Sequence, residues 1–561
     1  MSLIDTRYSQ IFPTLTPTQI ATALRFASGP PQRFVPGAVL VSIGERNAPA
    51  FLVLDGAVDI LRHDGTGREG LIVSHGPGHI SGELTQLAGR ASLVEARAGA
   101  DGCEVASFDA AHLRALLIGS AELGEIIMRA FILRRVELIA GGGVGSVLIG
   151  SHSDPDLVRI EGFLSRNGYP YSVLDAHEDV EGRAMVERLG LAADDLPLLL
   201  CPNGSLLKRP TDIDVGACIG ITPELDPERV YDVAVVGAGP AGLAAAVYAA
   251  SEGLSVVVLD SRAFGGQAGA SARIENYLGF PTGISGHALA ARAFNQAQKF
   301  GAEIAIPVTV EALDCAAADL RTGVPFQLRL AGERQVKSRT VVIACGARYR
   351  RPDIANLAMF EGAGVSYWAS PVEAKLCEDQ EVALVGAGNS AGQAVAYLAP
   401  RVRRLHLIVR GAGLEASMSR YLIERIAALP NVVLHRGCEV TALAGDAASG
   451  LAGFDLRDNA AGTTTSMDIR HLFLFIGADP NTAWLSDCPV ARDPGGFVRT
   501  GAMAADSPGP VSAHAASPLQ TSVPGVFAIG DVRSGSTKRV AAAVGEGAQV
   551  VAALHGVLAT S

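Results

Sequence analysis

The amino-acid sequence predicts a multi-domain chain that begins with a β-rich domain, continues with a small α/β domain and ends with two larger α/β units. Three observations predict this order. At 561 residues the chain is too long for a single hydrophobic core. Short apolar runs separated by glycine turns come first, then alternating strand-like and helix-like segments. Two glycine-rich strand–turn–helix motifs follow in the last part.

The composition and the charge argue against several classes of protein. A formal net charge of −11 disfavours a nucleic-acid-binding surface, which needs a concentrated basic face. The first residues, MSLIDTRYSQIFP, contain no basic region followed by an apolar stretch, so we expect no signal peptide. No charge-free apolar run is long enough to span a bilayer. The sequence therefore predicts a cytoplasmic protein that binds neither membranes nor nucleic acid.

The eight cysteines are scattered along the chain, and no two are separated by only two residues. Scattered cysteines in a large cytoplasmic chain are most often small buried hydrophobic residues, and the spacing typical of metal sites is absent. We therefore expect no metal site and no CxxC redox pair. The cysteines are Cys103, Cys201, Cys218, Cys315, Cys345, Cys377, Cys438 and Cys488.

The first domain is predicted over residues 1–140. Strand-like runs cover residues 38–44, 50–63 and 69–78, and helical segments cover residues 111–117 and 122–138. This order resembles a cyclic-nucleotide-binding jelly-roll domain. The resemblance includes the Gly-Glu-Leu turn of that family at residues 82–84, in which Glu83 is placed to accept a ribose hydroxyl.

The phosphate-binding part of the cyclic-nucleotide motif departs from the family. Ser92 stands where the family has the arginine that pairs with the cyclic phosphate, and Arg90 and Arg97 are displaced from that position. A buried phosphate without a positioned guanidinium is poorly compensated. This departure favours a structural or protein-contact domain, and a working cyclic-nucleotide sensor is the alternative.

The second domain is predicted over residues 144–221, as strand, helix, strand, helix and a hairpin. The order resembles a thioredoxin or glutaredoxin fold, with Leu196-Pro197 at the position of the family's cis-proline. Where that family begins its first helix with CxxC, residues 151–154 read Ser-His-Ser-Asp. A hydroxyl cannot exchange disulfides as a thiolate does, so we expect a redox-silent domain with Ser153 or Asp154 capping the helix. A docking role and an inert spacer are both open.

The first glycine-rich motif begins at Val233, in VAVVGAGPAGLAAAVYAASEGLSVVVLD. Gly237, Gly239 and Gly242 form a GxGxxG turn between an apolar strand and an alanine-rich helix, and a second strand ends at Asp260. The glycines permit the tight turn, the close approach of a pyrophosphate and the packing of the helix. Asp260 is placed to accept ribose hydroxyls. This combination predicts a Rossmann-type dinucleotide site.

A second copy begins at Glu381, with Gly386, Gly388 and Ala391 in the glycine positions. Its second strand ends in Arg410 and not in an acid. An acid at this position favours NAD, whereas an arginine pairs with the 2′-phosphate of NADP. Arg410 therefore favours NADP, with NAD as the alternative, and two motifs predict two bound dinucleotides.

The spacing of both motifs resembles low-molecular-weight thioredoxin reductases, which belong to the pyridine nucleotide-disulfide oxidoreductases. Residues 265–267, 274–281, 344–347 and 476–482 look like that family's FAD-binding and crossover segments, and Asp531 resembles its flavin-contacting aspartate. The resemblance implies an FAD domain in two pieces, residues 229–349 and 472–561, with an NAD(P)H domain inserted at residues 350–471. It also implies a homodimer.

The candidate binding residues follow from these motifs. For FAD they are Gly237, Gly239, Gly242, Asp260, Gly266, Gln267, Asn276, Asp531, Arg539, Val540 and Ala541. For the nicotinamide dinucleotide they are Gly386, Gly388, Asn389, Ser390, Ala391 and Arg410. Hydride transfer between the two cofactors requires no side-chain acid or nucleophile, so no catalytic side chain is predicted.

The redox centre departs from the thioredoxin reductases. Where the family has its CxxC, the sequence reads Trp368-Ala369-Ser370-Pro371, so Trp368 and Pro371 stand at the two cysteine positions. The family's three-arginine NADPH signature keeps only Arg410, with Arg420 as a substitute from the next helix. The predicted function is an FAD-dependent NAD(P)H oxidoreductase that passes electrons to an acceptor, a protein among the candidates, without an internal dithiol. A flavin-based redox or nucleotide sensor is the alternative.

Overall fold

The computed structural model describes residues 3–63, 69–141, 145–202, 204–271, 273–315, 318, 320, 322–369, 371–446, 449–505 and 517–559. Ser370 of the redox-centre segment and residues 142–144, at the boundary between the first two predicted domains, lie outside the described residues.

The N-terminal part is an antiparallel β structure with helices at both ends. Its long strands Ala50–His63 and Glu95–Phe108 pair with each other over most of their length. The sequence predicted the first of these strands but not the second, whose alternation is interrupted by Gly99 and Gly102. The strands are Gln32–Phe34, Val39–Val41, Ala50–His63, Glu69–His75 and Glu95–Phe108, and the helices are Leu3–Ile11, Pro17–Leu24, Leu84–Ala88 (3-10), Ala110–Gly119 and Ala121–Gly141.

The middle part is a four-stranded sheet in which Ser146–Gly150 pairs in parallel with Tyr171–Asp175 and antiparallel with Leu198–Leu200, which pairs with Leu206–Lys208. The helices are Pro155–Arg166, Val180–Leu189, Ala193–Asp195 (3-10) and Asp212–Cys218. Asp154 caps the first helix through a hydrogen bond from the Asp156 N–H, as the sequence predicted. The Leu196–Pro197 peptide bond is cis.

A disulfide joins Cys201, which follows strand Leu198–Leu200, to Cys218, the last residue of helix Asp212–Cys218. The expectation that the scattered cysteines are simple hydrophobic residues is therefore wrong for this pair. The two residues lie 17 positions apart, so they match no short-spacing motif, and the turn of the chain through a hairpin and a helix brings them together.

A mixed seven-stranded sheet forms the centre of the C-terminal half. Strand Val230–Val236 pairs in parallel with Val256–Leu259 on one side and Arg334–Ile343 on the other. Strand Val526–Ala528 also joins Arg334–Ile343 in parallel, so the end of the chain completes the sheet. The other strands are Glu303–Ala305, Val310–Asp314 and Phe326–Leu330, and the helices are Pro240–Ser251, Gly266–Gly269, Gly286–Lys299, Ala502–Ala505, Gly530–Val532 (3-10) and Val540–Leu558.

A second parallel sheet is inserted into this unit. Its strand order is Val365–Ser366, His471–Leu474, Glu381–Val385, Arg404–Val409 and Val432–Arg436. Its helices are Leu357–Phe360, Pro371–Leu376, Asn389–Leu398, Ala399–Arg401 (3-10) and Arg420–Ala427, and an antiparallel sheet of Cys438–Asp446, Gly450–Asp458 and Thr464–Met467 lies beside it.

Two extended segments link the two sheets. Ala347–Tyr349 and Ala478–Pro480 pair antiparallel as a two-stranded ribbon, followed by the 3-10 turn Ala483–Leu485. The inserted unit is thus connected to the seven-stranded unit through two short chain crossings. Other contacts must help to fix how the two units face each other.

Helix Val540–Leu558 is long and apolar enough to cross a membrane by length and composition alone, but it contains Glu546 and so is not a charge-free apolar run. The helix packs against helix Pro240–Ser251, and its buried face consists of Ala543, Gly547, Val550, Val551 and Leu554. This packing accounts for its apolar composition.

Candidate functional site

The first glycine turn has the geometry that a dinucleotide site requires. A Cβ on Gly242 would lie 1.9 Å from the Gly237 carbonyl oxygen, so only glycine lets the helix pack this closely on the turn. A Cβ on Gly239 would meet nothing nearer than the Gly266 Cα at 4.0 Å, so this position leaves room for a ligand. Because Gly239 is also the N-cap of helix Pro240–Ser251 and has no side chain, the first N–H groups of the helix are free to bind a phosphate.

Asp260 organises the neighbouring loop. Its carboxylate accepts hydrogen bonds from the backbone N–H groups of Ala238, Arg262 and Ala263, at 2.8, 2.9 and 3.2 Å. Burial raises the pKa of Asp260, and these three donors oppose that shift. The residue therefore holds the glycine turn in place and also lines the cavity described below.

The second glycine turn repeats this arrangement. A Cβ on Gly386 would lie 2.6 Å from the Phe475 carbonyl oxygen, whereas one on Gly388 would meet nothing within 4 Å. Ala391, in the first turn of the helix that Gly388 caps, is fully buried. The Asn389 side chain accepts a hydrogen bond from the Ser419 N–H at 2.7 Å, which ties the turn to the following helix.

The first glycine turn and the N-terminal end of helix Asn389–Leu398, which follows the second glycine turn, line one cavity of about 280 Å³. The predicted residues that line it are Gly237, Gly239, Asp260, Gly266, Gln267, Asn276, Asn389, Ser390, Asp531, Arg539 and Val540. The predicted residues that do not line it are Gly242, Gly386, Gly388, Ala391, Arg410 and Ala541. Three of these, Gly242, Gly386 and Ala391, are packed against their own turn or helix, and Arg410 is exposed just beyond strand Arg404–Val409.

Several lining residues were not predicted as site residues. Tyr349 follows the crossover segment, Gln393 lies one turn into the second helix, and Phe475 follows strand His471–Leu474. Their position in the sequence could have identified them, because each lies within about one helical turn, counted along the chain, of a predicted motif.

The Asp531 side of the cavity is positioned from the last helix. Glu546 accepts hydrogen bonds from the Gly530 N–H at 2.6 Å and from the Arg533 guanidinium at 2.5 Å. Lys538 donates to the Asp531 carbonyl oxygen at 3.1 Å. Burial raises the pKa of Asp531, and the nearby Lys538 charge lowers it. Glu546 therefore fixes the short turn that presents Asp531, a role that local sequence reasoning missed.

Trp368 lines the same cavity, at a position where the thioredoxin reductases have a redox cysteine. Its indole Nε1 donates a hydrogen bond to Glu373 at 2.6 Å, and its ring lies 6.5 Å from that of Tyr349. Pro371 begins helix Pro371–Leu376. Neither Trp368 nor Pro371 carries a sulfur atom, so these two positions offer no dithiol.

Two cysteines lie close to these elements, and neither provides a thiolate. Cys345 lines the cavity and donates to the Asn481 carbonyl oxygen at 3.0 Å, and burial raises its pKa to about 12. Cys377 is fully buried, and burial raises its pKa to about 11. Since the thiolate is the species that exchanges disulfides, both thiols are unreactive near neutral pH.

The residues that the structure describes contain no candidate metal-binding site. No group of three or more His, Cys, Asp or Glu side chains there is arranged to bind a metal ion.

Comparison with known proteins identifies the class. Residues 231–547 match the pyridine nucleotide-disulphide oxidoreductase family, and residues 31–119 match the cyclic nucleotide-binding domain family. Since the first match covers more than half of the chain, the protein belongs to the pyridine nucleotide-disulphide oxidoreductases. Its relatives place it among the thioredoxin-reductase-like members, which use FAD and NADPH, so the predicted resemblance and cofactor class are confirmed.

Individual relatives cover the C-terminal half. NADPH-dependent thioredoxin reductase 3 of Arabidopsis thaliana is 32% identical over 327 residues, which are 57% of each chain. Thioredoxin reductase of Mycoplasma pneumoniae is 31% identical over 329 residues, which are 59% of this chain and 96% of that one. The crystal structure of T. acidophilum thioredoxin reductase superposes with a TM-score of 0.52 at 28% identity, covering 59% of this chain and 99% of that one. The match thus spans less than two thirds of the Arabidopsis relative and nearly all of the other two.

Proposed function

We propose that the protein is an NAD(P)H oxidoreductase in which FAD, when bound, accepts a hydride from a bound nicotinamide. The observation that carries this proposal is one cavity lined both by the first glycine turn and by the N-terminal end of helix Asn389–Leu398, which follows the second. A shared cavity lets two extended dinucleotides approach each other while the surrounding protein excludes water. The cofactors carry the chemistry, and the chain binds and orients them.

The proposed roles of the residues follow from their positions. The N-terminus of helix Pro240–Ser251, beyond Gly239, binds the FAD pyrophosphate through its free N–H groups. Asp260 accepts hydrogen bonds from the adenosine ribose hydroxyls. The remainder of the cofactor is bound by Asp531 and by the N-terminus of helix Val540–Leu558. The N-terminus of helix Asn389–Leu398 binds the nicotinamide dinucleotide in the same way.

NADPH is the proposed hydride donor, and NADH is the alternative. Arg410 follows strand Arg404–Val409 directly and is exposed, so its guanidinium is available to a 2′-phosphate. Arg420, the other candidate, pairs with Glu424 on its own helix at 2.9 Å. Arg410 is the stronger choice because it stands directly at the end of the second strand, where the motif places the partner of the 2′-phosphate.

The electron acceptor lies outside the chain in this proposal. Trp368 and Pro371 stand at the dithiol positions, and burial keeps Cys345 and Cys377 protonated. Acceptors that need no internal dithiol are a quinone, oxygen, an iron-sulfur carrier or a partner protein's disulfide reduced directly.

Anaerobic stopped-flow reduction tests the proposed function. We expect NADPH, and more slowly NADH, to bleach the flavin absorbance of the purified protein, after which a screen of acceptors identifies which one restores it. A flavin that stays oxidised with both nucleotides contradicts the proposal. Turnover close to that of an ordinary thioredoxin reductase in a thioredoxin-coupled dithionitrobenzoate assay contradicts the absence of an internal dithiol route.

We also propose the domain organisation. The N-terminal domain, residues 1–140, is a jelly roll, and the middle domain, residues 144–221, is a thioredoxin-like fold without the usual redox pair. The FAD domain comprises residues 229–349 and 472–561, and the NAD(P)H domain comprises residues 350–471. The antiparallel strand pairing of the first domain and the four-stranded order of the second support these assignments. A cytoplasmic homodimer remains the expected state.

A second candidate function is a nucleotide or redox sensor, which the match to the cyclic nucleotide-binding family favours. In this structure Glu83 faces Arg135 at 3.4 Å, and the Arg90 guanidinium packs on the Phe294 ring at 5.0 Å. Ser92 is buried and donates to the Val94 carbonyl oxygen. These contacts engage the groups that a cyclic nucleotide needs, so we expect calorimetric titration to detect no micromolar binding of cAMP or cGMP. Micromolar binding supports the sensor.

A further inference from the structure

One short segment of the middle domain touches both cofactor-binding domains. This segment, residues 166–168, is called the wedge here and contains the last residue of helix Pro155–Arg166 and the two residues that follow it. Asn167 is buried and donates from Nδ2 to the Arg262 carbonyl oxygen at 3.1 Å. Since the Arg262 N–H in turn binds Asp260, the wedge supports the loop that forms part of the FAD site.

The other contact of the wedge reaches the NAD(P)H domain. The Arg166 guanidinium carbon lies 4.1 Å from the centre of the Trp368 ring, and that of Arg262 lies 5.8 Å from the same centre. Arg166 Nη2 is buried and has no hydrogen-bond partner among the described residues. The indole ring therefore stabilises the partly buried charge of Arg166, together with the nearby Glu373 carboxylate.

The surrounding charges explain why an aromatic ring stands at this point. Burial and the neighbouring Arg262 both lower the pKa of Arg166. The Trp368 ring presents its negative face to a guanidinium, and its Nε1 is held by the Glu373 carboxylate. With an aliphatic side chain at position 368, the positive charges of Arg166 and Arg262 would face each other without an aromatic ring to stabilise them.

The Arg166–Trp368 contact can affect how the two cofactor-binding domains are oriented, because the direct connections between these domains are weak. Apart from the ribbon of Ala347–Tyr349 and Ala478–Pro480, they are joined by surface contacts such as the Arg425–Glu275 ion pair, in which the arginine side chain is 43% exposed. An exposed ion pair contributes little to orientation. A partly buried guanidinium on an indole corresponds to about a two- to thirtyfold shift in an equilibrium constant.

We propose that the wedge holds the FAD and NAD(P)H domains in the orientation in which the first glycine turn and the N-terminal end of helix Asn389–Leu398 share one cavity, with Arg166 as a positioning residue acting through Trp368. This inference rests on the proposed function, because its kinetic consequence is faster hydride transfer. Arg166 does not line the cavity, so it affects the alignment of the cofactors and not their binding.

The test compares four forms of the full-length holoprotein: wild type, Arg166→Ala, Arg166→Lys and Arg188→Ala. Arg188 is the matched control, because it is exposed in the same domain and its guanidinium contacts Met185 of its own helix. For Arg166→Ala we expect the limiting rate constant of anaerobic flavin reduction by NADPH to fall about three- to tenfold. The concentration of NADPH that gives the half-maximal rate should change less than about twofold, because the substitution does not alter the NADPH-binding residues.

Arg166→Lys keeps the charge but not the planar stacking, so its rate should lie between those of wild type and Arg166→Ala. Arg188→Ala should match wild type. The lysine variant also keeps the test valid if the alanine variant does not fold.

Tryptophan fluorescence supplies a readout independent of turnover. The chain has two tryptophans, so Trp484→Phe leaves Trp368 as the only tryptophan. Excitation at the long-wavelength edge of tryptophan absorption selects it over tyrosine, and its emission band is separate from that of flavin. In that background, Arg166→Ala should shift the emission and increase acrylamide quenching, whereas Arg188→Ala should not.

Three results overturn the inference. They are an unchanged reduction rate in Arg166→Ala, a lowered rate with unchanged Trp368 emission, and an equal loss of rate in Arg188→Ala. A wild-type flavin that neither nicotinamide reduces contradicts the proposed function itself and removes the kinetic part of the inference with it. Normal wild-type reduction combined with a normal rate in Arg166→Ala contradicts only the role of the wedge.

Discussion

The packing of helix Val540–Leu558 on helix Pro240–Ser251 can be tested at Gly547. A Cβ added there would lie 2.5 Å from the Ala241 carbonyl oxygen, 2.7 Å from the Ala244 Cβ and 2.9 Å from the Ala245 nitrogen. Two of these atoms belong to the backbone of the facing helix and cannot rotate away. Gly547→Ala must therefore push the two helices apart.

The expected size follows from two opposing effects. Overpacking a buried site costs about 1–3 kcal/mol, and the three close approaches at Gly547 favour the upper part of that range, about 2–3 kcal/mol. Replacing glycine by alanine within a helix returns about 1 kcal/mol. The net loss for Gly547→Ala is about 1–2 kcal/mol. Gly545 is the matched control in the same helix, because a Cβ there meets nothing within 4 Å and Gly545→Ala should gain about 0.5–1 kcal/mol.

Release of FAD on heating, followed by flavin fluorescence, reports on this domain alone. A change of about 1 kcal/mol corresponds to about 2–4 °C, so Gly547→Ala should lower the midpoint by about 2–8 °C and Gly545→Ala should raise it by about 1–4 °C. The displaced helix also carries Val540 and follows Arg539, which both line the cavity, so Gly547→Ala should retain less FAD on purification. Equal midpoints for the two variants refute the argument.

Three further predictions concern other parts of the chain. Changing Cys201 and Cys218 together to serine should lower the free energy of unfolding of the middle domain by about 3 kcal/mol, measured by pulse proteolysis in urea. We expect reductant to destabilise the wild-type domain and to have no effect on this double variant. Arg410→Ala should raise the KM for NADPH by a factor about ten times larger than the factor by which it raises the KM for NADH. Arg404→Ala, at the other end of the same strand, should change both KM values by the same factor. Arg90→Ala should increase amide hydrogen exchange where the N-terminal domain contacts the FAD domain, and unchanged exchange argues against that contact in solution.

The sequence predicted those features whose determinants lie close together in the chain. A GxGxxG turn specifies its own strand, turn and helix, so both dinucleotide motifs could be located by spacing alone. Two short helices were missed although their signals were present. Thr16 and Gln19 form a capping box at helix Pro17–Leu24, and Thr211 and Asp214 form one at helix Asp212–Cys218.

Features that depend on distant partners could not be predicted. Strand Glu95–Phe108 contains two glycines and an aspartate that interrupt its alternation, and it forms because strand Ala50–His63 pairs along it. The Cys201–Cys218 disulfide likewise follows from the fold and not from a local motif. Glu546 gave no signal, because its partner Gly530 is 16 residues away across a loop and a helix.

Contacts between distant parts of the chain also bear on why two extra domains precede a thioredoxin-reductase-like unit. Each places an arginine on an aromatic ring of that unit: Arg90 on Phe294 and Arg166 on Trp368. Phe294 stacks on Phe264 with ring centres 4.4 Å apart, and Phe264 lies two residues before Gly266, which lines the FAD cavity. Both contacts therefore end within a few residues of the cofactor site, where a change in the docking of either domain alters the cavity. A separate spacer needs no buried guanidinium, so these contacts favour extra domains that support and adjust the flavin site.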